Sequence, residues 1–144
     1  MFRRSGESEP LVLHVQLNEK YAFDQFSFGS QYVSRPDLTG IPGTEYIDGD
    51  RVGMNLVLRP WRDGDWFVPL GMREKKKLSD FFIDEKIPLF EKRRIPILEC
   101  DGNILWICGK RIDDRYKISS KTVKFIKLEY RQFGLNEKNH YDQQ

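Results

Sequence analysis

The chain has 144 residues, 39% of them hydrophobic and 32% charged, with 10 Phe, 6 Tyr and 3 Trp. That length suits one domain around one core, and the aromatic content excludes a disordered chain. No apolar run approaches the roughly 18 residues that cross a bilayer, so no membrane span is expected. MFRRSGESEP shows no apolar stretch behind its basic residues, hence no visible signal peptide, and the expected compartment is the cytoplasm. The net charge of +2 is unevenly spread. Residues 1–58 hold 5 basic and 8 acidic side chains, residues 59–94 hold 10 and 7, and residues 104–131 hold 8 and 3. An anionic partner for the C-terminal half and an ordinary solvated surface both fit that bias.

Leu11, Leu13, Val15 and Leu17 alternate with polar or exposed positions and predict a half-buried strand. Tyr21, Phe23, Phe26 and Phe28 predict a second, irregular strand. Residues 34–44 hold Pro36, Gly40, Pro42 and Gly43 and read as a loop. A short strand over 46–48 follows, then a turn at Asp48–Gly49–Asp50. Met54, Leu56 and Leu58 return to period two, and Pro60 ends that strand. Arg62, Asp63, Gly64 and Asp65 have turn composition.

Helical spacing is confined to the middle of the chain. Leu78, Phe81 and Phe82 stand at i, i+3, i+4 and predict a helix over 76–85. Pro88 suits the first turn of a second short helix over 89–93. Residues 95–100 and 103–108 flank Asp101–Gly102, the composition of a two-residue hairpin turn. Near the end, Val123, Ile126, Tyr130 and Phe133 fit a helix capped by Gly134. Ile126, Leu128 and Tyr130, however, alternate in a β-prone composition, and a strand with a bulge between Phe125 and Ile126 is preferred. Strands dominate, so the expected class is α+β, with Phe81, Phe82, Ile83, Ile97, Leu105 and Trp106 in its core. Residues 136–144 are expected to fray.

The two-residue turn would set Cys108 opposite Ile95, with Cys100 about 17 Å away, too far for a disulfide. His14 and His140 lie at opposite ends and no C-x-x-C is present, so no zinc site is expected. The runs Asp48–Asp50 and Asp63–Asp65 invite a calcium reading. A calcium loop from Asp63 would need an oxygen ligand where Phe67 stands and glycine where Val68 stands, so both runs read as turns. Adjacent Asp113 and Asp114 would point to opposite faces of a strand, a poor arrangement for paired acid–base work. No nucleotide-binding glycine loop or nucleophile elbow is present, and the residue chemistry reads as non-catalytic.

RPWRDGDWF, from Arg59 to Phe67, is different: it is basic and aromatic, and Arg73, Lys75, Lys76 and Lys77 follow at the expected helix start. Three lysines there oppose the helix dipole, a cost that a phosphate backbone in front of them would explain. An exposed loop that tolerates a few tenths of a kcal/mol explains it equally well. Trp61 and Trp66 could stack on bases or lie over the core.

At these residues the sequence resembles a known family. LRPWRDGDWFVPLGMREKKKLSDFFIDEKIP, RRIPIL and ILWICGKRIDDRYKIS, in that order and spacing, look like the C-terminal domain of the tRNA(Ile)-lysidine synthetases, the TilS or MesJ family. The likeness runs over about residues 46–128. It implies an α+β, small layered β-sandwich with two short helices, similar to a domain in the beta subunit of bacterial phenylalanyl-tRNA synthetase (the PheT/TilS fold). It implies residues 1–45 as a linking segment with one or two strands, 46–131 as the domain, and 132–144 as a tail. The family ligates lysine to the wobble cytidine of a CAU-anticodon tRNA, activating the base with ATP. That chemistry sits in an N-terminal domain with an S-G-G-x-D-S loop, which this sequence lacks. ATP and Mg are therefore implied for a full-length enzyme and no cofactor for this chain.

The implied partners are the tRNA(Ile) acceptor stem and the catalytic domain of the same protein, with a homodimer left open. Carried over position by position, the implied RNA-binding residues are Arg59, Arg62, Arg73, Lys75, Lys76, Lys77, Lys110, Arg111, Arg115 and Lys117. Two positions depart from the family's usual W-R-P-G-D-R-F: Asp63 replaces proline and Trp66 replaces arginine. Arg59 and Arg115 could equally be ion-pair partners of Asp65, Asp113 or Asp114. The competing functional readings are an interdomain or dimerisation module that never touches RNA, and a hydrolase using Asp113 or Asp114.

Overall fold

A computed structural model describes residues 12–133. Leu11, the Gly134 cap, the 136–144 tail and His140 lie outside the described residues. The first strand, β1 (Leu13–Val15), is shorter than the alternation implies and pairs antiparallel with β5 (Leu56–Pro60). Tyr21 and Phe28 belong to different strands rather than one irregular one. β2 (Lys20–Ala22) turns back into β3 (Phe26–Val33), with Tyr21 opposite Phe28 and the Phe23 N–H donating to the Phe26 carbonyl. Residues 12–45 thus supply three strands rather than one or two. The Pro/Gly loop then leads to β4 (Thr44–Asp48) and a 3-10 turn at Gly49–Arg51, capped by the Asp48 carboxylate. Met54 is 96% exposed and lies outside β5; its alternation with Leu56 is incidental. Pro60 is the last residue of β5, opposite Pro96.

After β5 come β6 (Trp66–Phe67) and β7 (Lys76–Lys77), a two-stranded ribbon, then α1 (Leu78–Asp84) and α2 (Leu89–Lys92). Lys76 and Lys77 are therefore strand residues, and Lys77 is the N-cap of α1 rather than part of its first turn. Pairing with Trp66 and Phe67 holds them extended, because Phe67 must enter the core beside the helix. β8 (Pro96–Cys100), β9 (Asn103–Ile107) and β10 (Arg111–Ile112) follow, and β11 (Phe125–Gln132) closes the fold.

The strands form a sheet of order β1-β5-β8-β9-β10 and another of order β2-β3-β11-β4. β11 lies between β3 and β4, with Ile126 opposite both Tyr32 and Ile47. No bulge interrupts β11. Val123, whose spacing hinted at a helix, is 79% exposed in the preceding loop, where the Asp50 carboxylate accepts the Val123 and Lys124 N–H groups. The loop before β4 is tied to β11 at Gly43, which has φ 78° and accepts the Tyr130 N–H. A Cβ at Gly43 would fall 2.4 Å from the Tyr130 carbonyl oxygen, so only glycine fits.

The five-stranded sheet is the middle of three layers. Phe26, Phe28, Ile47, Leu58, Leu98, Trp106, Ile126 and Leu128 fill the space between the sheets. Phe67, Leu78, Phe81, Phe82, Ile95, Ile97, Ile104 and Ile107 fill the space under α1. Ile83, expected in this core, is 71% exposed, because its neighbours Phe81 and Phe82 already occupy the buried stripe of a one-sided helix.

The β8–β9 hairpin has the Asp101–Gly102 turn, with positive φ at both residues. Its register slips by one at Leu98/Glu99: Glu99 faces Ile104, but Leu98 faces Trp106. The extra residue, Leu105, is a bulge that lets Leu105 and Trp106 both enter the inter-sheet core while Ile104 and Ile107 face α1. Cys108 consequently donates its N–H to Pro96, not to Ile95. Cys100 and Cys108 are free, buried thiols, and burial pushes both thiol pKa values up, that of Cys108 strongly. Thiol titration of the unfolded, non-reduced chain should count two thiols, and the folded chain should react with neither at neutral pH. A folded chain that reacts at once would contradict this packing. Among the described residues no helix is long and apolar enough to cross a membrane.

Candidate nucleic-acid interface

The RPWRDGDWF segment is built around Asp65. The turn at residues 62–65 closes with the Asp65 N–H donating to the Arg62 carbonyl, and the Asp65 carboxylate accepts the Arg62 N–H at 2.7 Å. The same carboxylate takes a bidentate pair from Arg59, Nη1 to Oδ2 and Nη2 to Oδ1, each at 2.9 Å. Arg59 Nε also donates to Glu99 at 2.6 Å. Burial opposes the charge, but Asp65 and Glu99 outweigh it and raise the guanidinium pKa above its ordinary value. With 4% of its surface exposed, Arg59 is a clamp between the turn and β8 rather than a surface contact.

Asp113 does similar work at the other side. It is fully buried and accepts the Val68 N–H and the Arg115 N–H, Nε and Nη2, all at 2.8–2.9 Å. Asp114 accepts the Gly71 N–H at 3.0 Å and pairs with Lys117; the Gly71 bond first, then Lys117, lowers its pKa. Both carboxylates are thus consumed in positioning the loop after β6, which leaves the hydrolase reading without an unengaged acid or base. Asp48 and Asp50 likewise accept backbone N–H groups, the ordinary role of Asp in turns.

The ten candidate cations fall into three groups. Arg59 and Arg115 are held by carboxylates, Lys76 by Asp84, Lys110 by Glu91 and Lys117 by Asp114. Arg111 lies 5.8 Å from the Phe81 ring centroid. Arg62, Arg73, Lys75 and Lys77 are exposed and have no carboxylate partner among the described residues. Lys77 lies on β7 and Lys75 directly precedes it, while Arg62 and Arg73 belong to the segments that lead into β6 and β7.

Trp66 projects from that ribbon, opposite in direction to the buried Phe67, and is 37% exposed. Lys75 Nζ sits 4.2 Å from its ring centroid and Arg115 Cζ 5.3 Å. Trp61, by contrast, packs edge-on against Phe82 as part of the core under α1. The difference was readable from Phe67: adjacent strand residues face opposite sides, so a core Phe67 sends Trp66 outward. Asn103, whose side-chain oxygen accepts from Arg115 at 3.3 Å, had no signal in the sequence.

The fold is therefore a three-layer α+β domain with Lys75 and Arg115 beside an exposed tryptophan. The family described as "TilS substrate C-terminal domain" matches residues 56–128, and the chain belongs to that family. The tRNA(Ile)-lysidine synthase of Parabacteroides distasonis is 44% identical over 82 residues, which are 56% of this chain and 18% of that protein. Its counterpart in Clostridium perfringens (strain ATCC 13124) is 31% identical over 126 residues, 88% of this chain and 23% of that protein. The chain thus spans about a fifth of the length of these curated relatives. A solved structure described as "Crystal structure of TILS C-terminal domain" superposes with TM-score 0.76 at 26% identity, covering 88% of this chain and 99% of the other.

Proposed function

We propose that this domain docks the acceptor stem of tRNA(Ile) for a lysidine-forming ligase acting in the cytoplasm. The observation that supports the reading is that four exposed cations without a carboxylate partner among the described residues, Arg62, Arg73, Lys75 and Lys77, lie on the β6–β7 ribbon or on the segments leading into it. Duplex RNA hides its base edges in a deep, narrow groove, so such cations would read backbone shape rather than sequence. The relatives are tRNA(Ile)-lysidine synthases, and the reaction we propose for the whole protein is the one the family resemblance implies: ligation of lysine to the wobble cytidine, with ATP and Mg used by a separate catalytic portion. At the junction of β7 and α1, Lys77 leads directly into the helix without a glycine loop of the kind that cradles phosphates.

A second reading has its own observation. Ile83, Leu89 and Phe90 are 71%, 55% and 57% exposed on the helical layer, a surface suited to packing against another domain or a second copy. The discriminating experiment is a salt titration of acceptor-stem duplex binding by the parent chain and by the variant with Arg62, Arg73, Lys75 and Lys77 all changed to Ala. Each neutralised phosphate contributes roughly one unit to the slope of log affinity against log salt. The variant should bind more weakly, with a slope shallower by up to about four units. Equal affinity and equal slope would hand the lead to the packing reading. Because Lys76 is held by Asp84, Lys76→Ala alone should change the slope little.

A further inference from the structure

We propose that Trp66 is a stacking face for an unpaired RNA base, a role that rests on the docking reading and extends it from duplex to single strand. Trp66 is an exposed aromatic side chain with Lys75 Nζ 4.2 Å and Arg115 Cζ 5.3 Å from its ring centroid, and the ribbon that carries it is anchored by the fully buried Phe67. A rigid, exposed indole flanked by cations is the usual composition of a surface that binds single-stranded nucleic acid.

The charge beside the ring selects a base over a phosphate. A polar cleft of about 120 Å³ opens next to Trp66, lined by Arg59, Asp65, Asn103 and Arg115 together with backbone at Gly64 and Gly102. It is open and polar, a place for the exocyclic groups of a base edge. Its two arginines face three carboxylates: Arg59 is paired with Asp65 and Glu99, and Arg115 with Asp113. Both guanidinium charges are already met by carboxylates, so a phosphate gains little there, whereas a neutral base meets donors and acceptors. Lys75 is exposed and its cation–π contact is weaker than base stacking, so a base can displace it from the ring. The freed ammonium is then placed for the phosphate of the same nucleotide. Arg115 cannot follow, because Asp113 and Asn103 hold it, and it remains as a fixed edge of the platform.

The test uses two RNA duplexes that differ only in a four-nucleotide unpaired extension at one end. The parent chain should prefer the extended RNA by about 10-fold, the size expected for one stacked base. Trp66→Ala should bind both RNAs alike, and Trp66→Phe should keep part of the preference. Indole emission should be quenched by the extended RNA in the parent and much less in Trp66→Phe, since Trp106 is fully buried and Trp61 is half-buried against the core under α1. A parent without preference, or a Trp66→Ala variant with the parental preference, overturns the stacking role while leaving duplex docking intact. Binding of neither RNA by the parent overturns docking and stacking together.

Discussion

Phe81→Ala and Phe82→Ala should each lower stability by about 3–5 kcal/mol, the usual range for deleting a buried phenyl group. Both residues are almost fully buried. Phe81 meets the Phe67 ring edge-on at 5.2 Å, and Phe82 meets Trp61 at 5.5 Å. α1 has seven residues, too few to persist in water by propensity, and Lys77 gives it no side-chain cap. Its stability therefore comes from the face it buries. Removing either ring leaves a cavity under a helix whose remaining anchors are Leu78 and the other ring, and the β6–β7 ribbon, which also rests on Phe67, loses support. Ile83→Ala, one position further along but turned to solvent, should change stability by less than about 0.5 kcal/mol. Urea unfolding monitored by tryptophan emission measures all three, with unchanged m-values showing that the midpoints report stability. Midpoints for the two Phe variants within error of the Ile83 variant would mean that α1 is not packed as described.

The same three residues show how far the sequence could be read. The i, i+3, i+4 pattern of Leu78, Phe81 and Phe82 identifies a helix and its buried stripe, because helical periodicity is a local property. Ile83 was assigned to the core on hydrophobicity alone, and hydrophobicity does not say which side of a short helix a residue occupies. The β8–β9 hairpin shows the same division. Asp101–Gly102 announces the turn, but the bulge at Leu105 is set by two cores on opposite faces of one sheet, a tertiary demand with no local signature. β11 is legible as a strand, yet its place between β3 and β4 depends on pairing with residues 77–106 positions away. Among the candidate cations, charge and motif identify all ten. Which four are unpaired depends on carboxylates distant in sequence, as Glu99 for Arg59 and Glu91 for Lys110.

Arg59 carries the second large expectation. Arg59→Ala should cost about 3 kcal/mol, the lower end of the range for breaking a buried ion pair by removing one partner. The lower end applies because Glu99 keeps 20% of its side chain in contact with water and Asp65 12%, so solvent can relieve part of the abandoned charge. The loss falls on two elements at once. Asp65 closes the turn through the Arg62 N–H, and Arg59 ties that turn to Glu99 on β8, so the variant loosens the base of the Trp66 ribbon as well. Lys at this position should not restore stability, since a single ammonium cannot make the bidentate bonds to Asp65 and reach Glu99 as well. Arg62→Ala, by contrast, removes an exposed side chain whose backbone makes the contact, and should leave the unfolding midpoint unchanged. RNA binding separates the two arginines in the opposite sense. Measured at a temperature where each variant is fully folded, Arg62→Ala should weaken duplex binding and flatten its salt slope, and Arg59→Ala should keep the parental slope. An Arg59→Ala variant that melts with the parent but loses RNA affinity would make the guanidinium an RNA contact and not a clamp.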